Sequence, residues 1–204
     1  MKAMPPADLL ARIIALPTGQ RHLIAVAGPP AAGKSALAGQ LVAALQAGGQ
    51  AARVVPMDGF HLDNSVLEAR GLLARKGAPE SFDAAGFLRL IRALREEGEV
   101  IHPIFDRARD LSIAGAGVVP ASCQLVIVEG NYLLFDEAPW RDLYLMWSLT
   151  VFLDPPREVL RDHLLARWRA QGLDAAQAAA RAEANDMANA DRIAAARLAA
   201  DMTL

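Results

Sequence analysis

The 204-residue sequence holds a single cysteine, Cys123, which excludes an intrachain disulfide and a cysteine-rich metal cluster. Lysine is nearly as scarce, with only Lys2, Lys34 and Lys76 against eighteen arginines. A motif that requires lysine therefore has three places to occur. Aromatic residues make up only 5% of the chain, which leaves little surface for stacking on nucleobases. A charge excess of one sign is also missing. The net charge of −2 gives no basic surplus to hold a polyanion, so nucleic acid is disfavoured as the main partner. No apolar run approaches the roughly 18 residues that a membrane span needs. The Met1-Lys2 start leads into proline and acid rather than the apolar stretch of a signal peptide. These absences predict a cytoplasmic, soluble protein with neither membrane nor nucleic acid as partner.

What is present is a large apolar fraction, 53%, much of it alanine in helical runs. The length is near the upper part of the usual range for one domain, and no repeat or Pro/Gly/Ser-rich linker divides it. Residues 1–204 are therefore read as one domain. The spacing of Leu9, Leu10, Ile13 and Ile14 predicts an amphipathic helix over 6–16. Short apolar runs at His22–Ala27, Ala52–Met57, Gln124–Val128 and Leu149–Leu153 read as strands. Helices are predicted at 34–47 and 83–97, with Ser81 as cap of the second, and at 156–170 and 174–200. Continuous apolar strands alternating with helices indicate an α/β fold of three layers, α/β/α, with a mostly parallel five-stranded sheet. Ligands of such sheets bind outside the carboxyl ends of the strands. Three of these strands run directly into polar residues, at Gly28, Asp58 and Glu129.

Gly28-Pro29-Pro30-Ala31-Ala32-Gly33-Lys34-Ser35 meets every requirement of G-x-x-x-x-G-K-[ST] between a strand and a helix. Glycines let the backbone wrap so that its N–H groups face the β-phosphate at the positive end of the helix. Lys34 would reach the β- and γ-phosphates, and Ser35 would offer a hydroxyl to Mg²⁺. A Gly-Pro turn without a ligand is the bland alternative, and the strand and helix flanks argue against it. Lys76-Gly77-Ala78 does not fit a guanine clamp, and no Leu-Ser-Gly-Gly-Gln-like transporter signature is present. A nucleotide-dependent small-molecule kinase remains, with ATP and Mg²⁺ as its cofactors.

Asp58 follows the second strand in Met57-Asp58-Gly59-Phe60-His61 and could accept the proton of an attacking hydroxyl. Asp-Gly is also a common turn pair. Glu129 ends the strand Val126-Ile127-Val128, where an acid can hold Mg²⁺ or its water; a capping or hairpin acid is the alternative there.

The phosphate loop, Met57-Asp58-Gly59-Phe60-His61, Pro103-Ile104-Phe105-Asp106-Arg107 and Val128-Glu129-Gly130-Asn131-Tyr132-Leu133-Leu134 occur in one order. That order resembles the uridine kinase, phosphoribulokinase and bacterial pantothenate kinase superfamily. Within it the chain is most similar to bacterial kinases provisionally named for fructose transport systems, over about residues 20–195. The resemblance implies Asp58 as catalytic base and Glu129 near metal and acceptor. It also implies an arginine-bearing lid around 156–172, with Arg167 at the position of a lid arginine. Uridine kinases carry an aromatic-rich stretch after the aspartate, and Gly59-Phe60-His61 departs from it, which puts nucleoside specificity in doubt.

Phe60, His61, Arg107, Asn131 and Tyr132 are the candidates to contact the acceptor, beside Asp58 and Glu129. His61 could bond an acceptor hydroxyl or be satisfied by backbone. Arg107, in a segment read as a loop, could bind an anionic group or pair with Asp106. Arg75-Lys76 reads as a solvated loop. Arg161, Arg167 and Arg169 lie on the helix after the fourth strand, where a guanidinium could close over ATP and neutralise charge on the moving phosphoryl group. Arg167 is preferred for that catalytic role and Arg169 for ATP contact, while Arg161 fits a solvated face. Asn185-Asp186, in an alanine-rich run, has no assigned chemistry. The expected acceptor is a small metabolite, foremost a fructose-like sugar, with a nucleoside or a pantothenate-type molecule as alternative. An ATP-binding regulatory subunit of a sugar-uptake system, without turnover, is the reading from another class. Assembly as a homodimer is left open.

Overall fold

The computed structural model describes residues 4–96 and 98–204. In chain order the strands are β1 (His22–Ala27), β2 (Ala52–Pro56), β3 (Val100–Asp106), β4 (Leu111–Val119), β5 (Leu125–Gly130), β6 (Leu149–Phe152) and β7 (Met202–Thr203). The helices are α1 (Ala7–Ile14), α2 (Lys34–Ala47), α3 (Asn64–Ala69), α4 (Ala84–Arg95), α5 (Arg157–Ala170), α6 (Ala175–Arg181) and α7 (Ala188–Ala195). A five-stranded parallel sheet runs in the order β2-β5-β1-β6-β7, and β3 and β4 form a separate antiparallel pair.

The apolar strands have two buried faces because helices cover both sides of the sheet. Successive side chains point to opposite faces. Leu23, Ala25, Val126 and Val128 join the layer of α4 residues Phe87, Ile91 and Leu94. Ile24, Val26, Leu125 and Ile127 join Leu9 and Ile13 of α1 and Leu37, Leu41 and Leu45 of α2. Each large side chain buried in this way contributes about 1.5–3 kcal/mol. Of the expected α1 face, Leu9 and Ile13 are buried, Leu10 is half-buried against the same layer, and Ile14, the last residue of the helix, is exposed.

Register decides which polar residues meet. Ala27 pairs with Gly130, and Pro56 pairs with Glu129. The chain after β1, the turn after β2 and the acid at the end of β5 therefore share one edge.

The structure corrects three local expectations. Asp83, not Ser81, caps α4, its carboxylate accepting a 2.8 Å hydrogen bond from the Gly86 amide. Ser81 is buried and bonds within its own turn instead, accepting from the Gly77 amide and donating to the Ala78 carbonyl. The expected extension of α4 to Glu97 lies outside the described residues. Pro103–Arg107 is not a loop, since Pro103–Asp106 belong to β3, whose pairing with β4 is interrupted by a register shift between His102 and Ile104. Proline hides such strands, and a bulge tolerates it. The expected helix over 174–200 is divided into α6, a π-helical turn at Ala182–Met187, and α7.

Candidate active site

The phosphate loop leaves β1 under tight steric limits. Gly28 has φ +151, and a Cβ there would stand 2.7 Å from the Leu153 carbonyl oxygen. Gly33 precedes α2 in the left-handed region, φ +93, which frees the first helical amides to face an anion. Ala31 also has positive φ, +63, a strained conformation for alanine of the kind that gathers at ligand sites.

Lys34 is buried and its Nζ donates to the Pro29 carbonyl at 2.7 Å. Burial brings its pKa down to about 8, against the opposing pull of Glu129 and Asp58. Ser35 donates to Glu129 Oε1 at 3.1 Å. Glu129 is itself buried, and burial followed by the nearby Asp58 charge pushes its pKa up, while Lys34 and the Ser35 bond oppose the shift. A hydroxyl and a carboxylate in contact are hard oxygen donors suited to Mg²⁺, which is commonly held by one or two such groups together with phosphate oxygens. Among the described residues no group of three or more His, Cys, Asp or Glu is arranged to hold a metal. The donor set fits a cation shared with phosphates, not a protein cage.

Asp58, in the short 3₁₀ turn Met57–Phe60 after β2, opens into the same cleft of about 480 Å³ as Lys34, Ser35 and Glu129. Arg107, at the tip of the β3–β4 pair, reaches across it, with Nη2 2.7 Å from Asp58 Oδ2. His61 is packed between rings, 4.0 Å from Phe82 and 4.8 Å from Phe105. Burial brings its pKa down to about 4, so the imidazole is neutral at physiological pH. Its Nδ1 is buried without a hydrogen-bond partner among the described residues. Lys76 Nζ contacts Asn64 Oδ1 at 2.7 Å and Asp110 at 2.9 Å, and stands 5.1 Å over the Phe105 ring. Asn131 lines the wall after β5.

The third wall is α5 with the π-helical turn. His163 donates from Nδ1 to the Ala31 carbonyl at 3.1 Å, which brings this helix against the phosphate loop. Arg167 and Trp168 face the cleft beside it. Burial, then the neighbouring Arg107, lowers the Arg167 pKa, and Asp186 and Asp58 oppose the shift.

Residues 23–189 match the phosphoribulokinase / uridine kinase family. The chain belongs to that family. It is therefore a P-loop kinase of the uridine, pantothenate and phosphoribulokinase type. The uncharacterized protein YggC of Escherichia coli K12 is 35% identical over 193 residues, spanning 93% of this chain and 79% of that one. The provisionally named uridine kinase C227.14 of Schizosaccharomyces pombe is 33% identical over 183 residues, 83% of this chain and 77% of that one. A crystal structure of a provisionally named fructose transport system kinase from Silicibacter sp. TM1040 superposes with a TM-score of 0.93 at 51% identity. It covers 99% of this chain and 100% of that one.

Against the expected residues of this kinase, the cleft collects Pro30, Ala31, Gly33, Lys34, Ser35, Asp58, His61, Arg107, Glu129, Asn131 and Arg167. Gly28, Pro29 and Ala32 of the loop do not line the cleft, and three more expected contacts fall elsewhere. Tyr132 is fully buried and donates from its hydroxyl to the Gly77 carbonyl at 2.6 Å, so it supports the loop behind the cleft. Phe60 packs edge-on against Phe87 in the core beneath the turn. Arg169 is exposed and does not line the cleft, because two residues along a helix turn a side chain away from Arg167. Arg161 pairs with Glu183 across exposed helix faces.

The structure also corrects the reading of Lys76, which is only 10% exposed at its side chain and is no solvated loop residue. Phe105, Asp110, His163, Trp168, Arg181 and Asp186 line the cleft and were not singled out as contacts by sequence reasoning. The rarity of lysine was the one signal that could have raised Lys76. No local pattern marks the others.

Proposed function

We propose that this kinase binds Mg·ATP along residues 28–35 and passes the γ-phosphate to a hydroxyl of a small, neutral sugar, fructose-like in size and polarity. The observation that carries the phosphotransfer reading is the Ser35–Glu129 contact at 3.1 Å, in one cleft with the buried Lys34 and with Asp58. Ser35 and Glu129 would hold Mg²⁺, which neutralises phosphate charge when bound. Lys34 would hold the β- and γ-phosphates, and Asp58 would accept the proton of the attacking hydroxyl. Arg107 would release Asp58 and turn to the acceptor once it enters. Arg167 would face the transferring group from α5.

The sugar reading rests on the acceptor end. Phe60 and Tyr132 pack away from the cleft and offer no sandwich for a base. Phe105 has His61 against it at 4.8 Å and Lys76 over its ring, which leaves little free π-surface. Trp168, the other ring at the cleft, has the Arg181 guanidinium 5.2 Å over it. The polar groups that remain are suited to hydroxyls, and an unmatched one would reject a wrong substrate. The test is ADP formation by the purified chain with fructose, ribose, uridine, cytidine and pantothenate compared by kcat/KM. A nucleoside ahead of every sugar by more than about tenfold, the least that one methylene-sized difference provides, would overturn the sugar. No acceptor-dependent ADP formation with this panel would favour the regulatory ATP-binding subunit instead.

A further inference from the structure

Asn185 and Asp186 occupy the π-helical turn 182–187, and no step proposed above uses them. π-Turns inside helices concentrate at functional sites. Asp186 is 8% exposed yet lines the cleft. A buried carboxylate is costly unless it is paired. Its Oδ2 accepts a 2.7 Å hydrogen bond from Trp168 Nε1. Burial pushes its pKa up, and the Trp168 bond and the charges of Arg167 and Arg181 act against that rise. The turn that carries it is tied to the body of the molecule. Asn185 Nδ2 donates to the Lys76 carbonyl at 2.7 Å, and Asn189 donates to Asn185 Oδ1 at 3.4 Å. Trp168 follows Arg167 on α5, and the Arg181 guanidinium lies 5.2 Å over its ring. The π-helical turn, fixed through Asn185 to the Lys76 carbonyl, thus grips through Asp186 the helix that bears the candidate phosphate-binding arginine.

We propose that Asp186 is a positioning residue for Arg167, holding α5 through Trp168 and orienting the guanidinium toward the phosphate loop. This rests on the reading that the cleft binds Mg·ATP with Arg167 at its γ-phosphate. The sign of the effect separates the idea from its rivals. A carboxylate that only neighbours phosphates repels them, so its removal would tighten nucleotide binding. A carboxylate that orients a phosphate-binding cation does the opposite.

The experiment is calorimetry of Mg·AMP-PNP binding to the full chain, with thermal melting as a check on folding. Asp186→Asn removes the charge beside Arg167 and reduces the charge-assisted bond from Trp168 Nε1 to a weaker neutral one. It should weaken binding by about fivefold or more, the lower range of coupling between linked sites. Trp168→Phe removes the donor and should act in the same direction. Asp186→Asn added to Arg167→Ala should cost nothing beyond Arg167→Ala alone, because groups acting as one unit are not additive. Should Asp186→Asn fail to fold, Trp168→Phe and its combination with Arg167→Ala carry the same test. Tighter or unchanged binding in the folded variant, or multiplicative losses in the double variant, would overturn the proposal. So would an Asp186→Asn protein that binds nucleotide normally and only raises the acceptor KM, since Asp186 would then read the acceptor. Wild-type protein that does not bind Mg·AMP-PNP would sink the nucleotide reading itself, and this inference with it.

Discussion

At the phosphate end of the cleft, one run of eight residues, from the end of β1 into the first turn of α2, supplies nearly every group, and its principal cation is buried against its own loop. At the acceptor end, the groups come from four stretches distant in the chain: Asp58 and His61, Lys76, Phe105 to Asp110, and Asn131. The charged groups there are already engaged, Arg107 with Asp58 and Lys76 with Asp110. The first end is preorganised by local backbone geometry, so a change there should disturb every substrate alike. The second is held by side chains paired with one another, which would exchange partners with a substrate, so a change there should alter choice of acceptor more than nucleotide binding.

The largest expected effect lies where the two ends meet. Asp58→Asn should lower kcat by about 10²–10⁴-fold, the usual range for a general base. Steady-state kinetics should show it with Mg·AMP-PNP affinity little changed, and a loss of only a few-fold would reduce Asp58 to a turn residue. Lys34→Ala should lower turnover by about 10²–10³-fold, as loss of a preorganised electrostatic contact does. Unlike Asp58→Asn, it should also weaken Mg·AMP-PNP in calorimetry. Its melting temperature should not fall, because a buried ammonium is costly to the fold. Equal acceptor dependence of these two losses would erase the distinction between the ends.

Arg107→Ala should raise the acceptor KM by about tenfold, the worth of one hydrogen bond to a charged group, and leave Mg·AMP-PNP affinity unchanged. Its side chain is 57% exposed, so stability should change by less than about 1 kcal/mol. A parallel loss of nucleotide affinity would place Arg107 at the phosphate end instead.

The smallest effects are in pH. Lys34 keeps its proton below about pH 8 in the nucleotide-free protein and loses it above. Mg·AMP-PNP affinity should therefore decline as pH rises through about 8, which titration calorimetry at pH 7 and 9 would register. Between about 8 and the model-peptide value of 10.5 the unfolded chain binds this proton more tightly, so this group makes folding stability rise with pH. His61, neutral above a pKa of about 4, should give no inflection near 6.5 in acceptor kcat/KM. An inflection there that His61→Asn abolishes would show an imidazole more open to water than its packing between Phe82 and Phe105 allows.

The phosphate loop was legible because its function is written in contiguous backbone: two glycines, one lysine and one serine between a strand and a helix. The parallel sheet was legible because four apolar runs had the length and flanks of buried strands. Lys76 was not, since its burial depends on Phe105 and Asp110 arriving from the β3–β4 pair. That pair was itself obscured by Pro103 and by the glycines of β4. Tyr132 misled in the other direction. It stands next to a cleft residue in sequence, but the chain after β5 turns it inward to the Gly77 carbonyl. The π-helical turn left no trace in an alanine-rich run.

The sequence by itself determined the fold class, the phosphate-binding loop, and the two acids at the carboxyl edge of the sheet. Those follow from local backbone rules and from the burial of apolar strands on both faces. Only the tertiary structure decided that Arg107 rests on Asp58, that Ser35 touches Glu129, and that Asp186 lies against Trp168 at the cleft. Each of those pairs joins residues at least 18 positions apart, and their meeting depends on strand register and helix docking, which no local pattern encodes.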